Sequence, residues 1–165
     1  MKTFFAVFFG ILAAAAVIAG IFALSSVRES SVRAQRVHDS LMPSELRSIS
    51  VACETYKATY GYFPKELVDL DATRCAAFSG PHCAGLIDEM LASGRLFDYS
   101  FNYQVTRTSG AGRVLAYTVT VTRTPENRRD SKNYFVDQSG VIRVTSESRP
   151  ATASDIPWID QQGAQ

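Results

Sequence analysis

Cys75, His82 and Cys83 are the residues whose types and spacing come nearest to chemistry. Two thiols and an imidazole close together are soft ligands, but a tetrahedral zinc site needs a fourth ligand, and no CxxC pair is present. The same cysteines lie in DATRCAAFSGPHCAG, a stretch of loop composition, where a Cys75–Cys83 disulfide is the preferred reading over free thiols or a metal site. A bridge over so short a loop would stabilise by about 2–3 kcal/mol. The carboxylates Glu66, Asp69, Asp71, Asp88 and Glu89 read as solvated helix and loop faces, and His38 as a solvated residue. Asp137-Gln138-Ser139 offers oxygens to calcium, but in the spacing of a turn. No GxSxG, HExxH, P-loop or strand-linked GxGxxG occurs. The chain therefore reads as non-enzymatic, with no catalytic residue, cofactor, metal or small-molecule substrate.

Charge excludes another class. The net charge is +1, so no global field draws the chain to a polyanion. Arg123, Arg128, Arg129 and Lys132 cluster, but as a solvated loop, and no nucleic acid is expected.

The elements that would hold these residues begin with an apolar run, Phe4–Leu24, without a charge inside it. At 1.5 Å per residue it is about 30 Å long, the thickness of a bilayer core, which predicts a membrane anchor over residues 1–25. Small residues at Ala23–Leu24–Ser25 leave a cleaved signal peptide open as the alternative. Arg28, Arg33 and Arg36 follow the run and favour a cytoplasmic head by the positive-inside rule. The expected disulfide favours an oxidising compartment and outweighs them here. A polar stem is expected over 26–42, with a kink or a helix break near Pro43.

From Met42 the apolar positions Met42, Leu46, Ile49, Cys53, Tyr56 and Tyr60 step by four or three, one face of a helix that Gly61 ends. Glu45, Arg47, Ser48, Glu54 and Lys57 are expected opposite. LFDYSFNYQV alternates, putting Phe97, Tyr99, Phe101, Tyr103 and Val105 on one side of a strand. VLAYTVTVTR predicts a second strand with Leu115, Tyr117, Val119 and Val121 inward, and NYFVD and GVIRVT two more, joined by a turn at Gly140. The helix–sheet core is thus predicted from Leu46, Ile49, Cys53, Tyr56, Phe97, Tyr99, Phe101 and Tyr103. The head spans 43–146, and a loosely ordered tail, 147–165, is pinned by Ile156 and Trp158.

The segment LRSISVACETYKATYGYFPKELVDL, followed by GLIDEMLASG, YSFNY, YTVTVTRTP and NYFVDQSGVIR, resembles type IV pilins and pseudopilins over about Leu46–Arg143. The resemblance implies an α+β fold: a long amino-terminal transmembrane and amphipathic helix packed on a small antiparallel sheet of about four strands. It implies a structural or accessory subunit of a type IV pilus or type II secretion-like assembly. Such a subunit would sit in a bacterial inner membrane by a single span, with a periplasmic head and other pilin-like subunits as partners. Gly10 is followed by Ile11 and Leu12, so the prepilin cleavage motif and its glutamate are absent. The alternative is a secreted or membrane-tethered binding module.

Overall fold

The computed structural model describes residues 37–73, 80–123 and 132–159. The chain divides into two compact units, Met1–His38 and Asp39–Gln165, and the second carries the fold. The expected anchor (1–25) and most of the stem lie outside the described residues. Among the described residues no helix is long and apolar enough to cross a membrane. Nor does the sheet have about four strands: among the described residues six antiparallel strands run in sequence order. Over the described residues the expectation of a long apolar helix on about four strands is corrected to a helix over residues 37–60 with a six-stranded sheet.

Residues 37–60 are helical (α1). Met42, Leu46, Ile49, Cys53 and Tyr56 form a seam in the hydrophobic core, each at most 2% exposed. Full burial of such a side chain contributes about 1.5–3 kcal/mol, so the seam is what fastens α1 to the sheet. An aspartate at Ile49 would put an unpaired charge there and undo it. Gly61 ends the helix at φ +82°, its N–H donating to the Lys57 carbonyl at 2.7 Å. A left-handed residue at that place favours glycine.

Pro43 neither breaks α1 nor starts a new helix. A proline in a helix leaves the carbonyl four residues earlier without its donor, here Asp39. The Tyr134 hydroxyl supplies the missing donor, reaching the Asp39 carbonyl oxygen at 3.0 Å from a distant strand. Tertiary structure thus repairs the bond that the proline removes.

After α1 come a 3-10 turn at Leu67–Leu70 and a one-turn helix, α2, at Glu89–Ala92. The sheet follows: β1 (Arg95–Leu96), β2 (Tyr99–Thr108), β3 (Val114–Arg123), β4 (Asn133–Asp137), β5 (Arg143–Thr145) and β6 (Ile156–Pro157). Tyr99, Phe101, Tyr117, Val119, Val121, Tyr134 and Val136 lie in the core with the α1 seam. Alternation in a half-buried strand produces this segregation. Gly140, at φ +72°, closes the β4–β5 turn in the expected way.

Three stretches differ from expectation. Phe97 is 53% exposed and stands outside the aromatic row, because it occupies the two-residue turn between β1 and β2, at φ +54°. Val105 and Leu115 are 38% and 40% exposed. The β2–β3 register slips twice there, first past Thr106 and then past Leu115, and each slip turns the following side chains to the other face. The tail is not loose as far as Ile159. Ile156–Pro157 pairs with β5, and the Trp158 N–H donates to the Ile142 carbonyl at 2.7 Å. Before it, the carbonyls of Glu147 and Arg149 accept from the Asn133 amide, and Arg149 forks onto Asp155.

Candidate interaction face

Two features of the head could carry function: a charged node where α1 meets the sheet, and the outward face of α1.

The node centres on Arg123, which is 4% exposed at the end of β3. Its guanidinium donates to the Asp98 carboxylate through Nε and Nη2. Nη1 lies 3.8 Å from the Asp39 carboxylate on α1. That carboxylate also accepts the Tyr99 hydroxyl at 2.5 Å, and the guanidinium stands over the Tyr99 ring at 5.7 Å. Asp39 therefore engages β2 and β3 through its side chain and β4 through its carbonyl. A buried arginine is tolerable only when its charge is matched, and two carboxylates match it here. Burial first, and the Asp39 carboxylate second, raise the Tyr99 and Tyr134 phenol pKa values. Both hydroxyls therefore remain protonated donors. The chemistry of the node is that of a clamp. Sequence reading placed Arg123 in a solvated basic cluster. The available signal was Asp98 and Asp39, lone acids flanking the aromatic row and the proline, but nothing local pairs them.

The outward face of α1 differs from expectation as well. At 100° per residue, Ser40, Leu41, Ser44, Ser48, Val51, Thr55 and Ala58 share a sector of about a third of the circumference. No charged residue falls in it; Arg47, Glu54 and Lys57 lie on one flank and Glu45 on the other. Val51 is 60% exposed and Leu41 37%. The hydroxyls are turned back on the helix: Ser44 to the Leu41 carbonyl (2.7 Å), Ser48 to Ser44 (3.1 Å) and Thr55 to Val51 (2.9 Å). Each donor is thus satisfied within α1, and burying the face against another surface would strand none of these protons. A groove of about 910 Å³ runs along it, with Leu86 and Trp158 beyond the helix and Arg47 at its flank. The Trp158 ring is set edge-on against Tyr134 at 6.0 Å and under the Lys132 ammonium at 4.9 Å.

The other sequence candidates are placed as follows. Leu46, Ile49, Cys53, Tyr56, Tyr99 and Phe101 are buried together, Tyr103 is half-buried against Tyr117 at 5.3 Å, and Phe97 is apart from them. Cys83 is disulfide-bonded. Cys53 is free and buried, and Cys75, the expected partner of Cys83, lies outside the described residues. Among the described residues no group of three His, Cys, Asp or Glu could hold a metal ion. His82 approaches Asp69 at 3.3 Å, but its side chain is 88% exposed. Asp69 itself is occupied in accepting the backbone N–H groups of Lys65 and Glu66. Asp88 caps α2 through Leu91 N–H at 2.9 Å. These carboxylates build turns and caps.

Comparison of the chain with protein families, with curated proteins and with solved structures returns no match.

Proposed function

We propose that this chain is a non-enzymatic assembly subunit, a pilin-like α+β head that packs side by side with like subunits through the outward face of α1. In that reading it is a structural or accessory component of a pilus or secretion-like assembly. The observation that carries the reading is the uncharged sector from Ser40 to Ala58 with its hydroxyls satisfied inside the helix. A solvated face has no need of either property, whereas helix–helix packing favours small side chains and punishes stranded donors. The apolar run Phe4–Leu24 is the segment that would hold such a subunit at a bacterial inner membrane with a periplasmic head.

Single cysteines at Ser48 and Val51 test the reading in the full-length chain, with Cys53 replaced by alanine and Gln104→Cys on the sheet as control. Oxidation should yield disulfide-linked dimers from each of the two helix positions and not from the control. V51E should abolish them while leaving the thermal midpoint unchanged. Equal crosslinking from all three positions, or none at any concentration up to the solubility limit, would refute lateral packing through α1.

A further inference from the structure

Beyond β1, part of the β2 edge is left open. β1 covers β2 only at Tyr99 and Ser100, and the Phe101 N–H donates to the Gly94 carbonyl at 2.8 Å. Backbone polarity alternates along a strand, so the N–H and C=O groups of Tyr103 and Val105 point the same way as the Phe101 N–H, away from β3. Among the described residues no backbone hydrogen bond meets them on that side. Gln104 to Thr108 are all exposed.

Along the β2–β3 hairpin itself the charge is one-sided, with Asp69 the nearby acid that acts on Tyr103. No acidic residue occurs between Asp98 and Glu126. Arg123 is neutralised within the node, while Arg107 and Arg113 are exposed and reach no carboxylate. Cationic side chains on an edge strand discourage pairing of two identical edges. The same charge favours a strand of opposite sign, since discrimination is a difference between the two.

We propose that the open edge of β2 receives an extended acidic segment of a partner protein. The segment adds as a strand along Tyr103–Val105, with its carboxylates drawn to Arg107 and Arg113. Main-chain hydrogen bonds supply the affinity of such strand addition, and the arginines supply its selectivity. The slip past Thr106 ends the pairing and fixes its length. This surface is separate from the outward face of α1, and the inference stands whether or not that face packs.

The probe is an acetylated, amidated peptide of three Val-Glu repeats, with its Val-Lys counterpart as control, added to the full-length protein at neutral pH. Amide exchange read by NMR should slow at least tenfold at Tyr103 and Val105 with the acidic peptide and remain unchanged with the basic one. R107E should weaken binding about tenfold, and V105P should abolish it. The Val105 N–H is not part of the β2–β3 ladder, so proline there removes an outward donor only. If V105P does not fold, R107E decides alone. The proposal is overturned if exchange is unchanged at millimolar acidic peptide, if both peptides bind equally, or if the two amides are protected only by self-association of the protein.

Discussion

The repair of α1 at Pro43 offers the sharpest quantitative test. In Y134F the ring stays and the hydroxyl goes, so the Asp39 carbonyl loses its donor. A net hydrogen bond contributes about 0.5–1.5 kcal/mol, and a buried acceptor left unpaired costs about 1–3 kcal/mol. Tyr134 is fully buried, and Asp39 only partly. The carbonyl can therefore recruit some water, and about 1.5 kcal/mol is expected. The decisive comparison repeats the change in a P43A background. Alanine restores an N–H at the position that should bond Asp39, so the Tyr134 hydroxyl becomes redundant. There Y134F should cost about 0.5 kcal/mol, leaving a coupling of about 1 kcal/mol between two residues on different elements. Urea unfolding of the four proteins, followed by circular dichroism, measures it, with equal slopes confirming a common denatured state. Equal costs of Y134F in both backgrounds would refute the argument that the tyrosine substitutes for the proline's missing donor.

Three further outcomes follow from the same physics. R123A should destabilise by about 3 kcal/mol, measured by denaturant titration, because it leaves the Asp39 and Asp98 carboxylates facing each other without their cation. R123K should recover less than half of that loss, since an ammonium cannot reproduce the fork. G94A should cost about 2 kcal/mol in thermal unfolding, its Cβ falling 2.9 Å from the Phe101 carbonyl at φ +73°, whereas G112A, with open space around it, should cost about 1 kcal/mol. Alkaline pH should destabilise the head: burial pushes the Cys53 thiol from 9.0 up to about 12 and raises the buried phenols of Tyr99, Tyr103, Tyr117 and Tyr134. The unfolded chain then releases protons first, so stability is full below pH 9 and falls as pH rises above it. Denaturation midpoints at pH 7, 9 and 10.5 check this, and a flat profile would contradict burial of these groups.

Period alone revealed the α1 seam, the strand alternation of β2 and β3 and the glycine stops at Gly61 and Gly140. These are short-range patterns, written in windows of a few residues. Phe97 was misread because an alternating pattern does not show where pairing ends and a turn begins. Leu115 was misread because a slip in register depends on both strands at once. The strand at Ile156–Pro157 has too few residues to carry a pattern and exists only because β5 offers an edge.

The charged node was beyond any window: Asp39 meets Tyr99 and Tyr134 across 60 and 95 residues of chain. So was the continuity of α1 through Pro43, where local rules left a kink or a break and Tyr134 supplies the missing donor. The order of residues determined which faces are oily and where the chain turns. Which acid neutralises Arg123, and which hydroxyl mends the helix, was decided by the packed sheet, because hydrogen bonds and ion pairs act over a few ångströms of space whatever their distance along the chain.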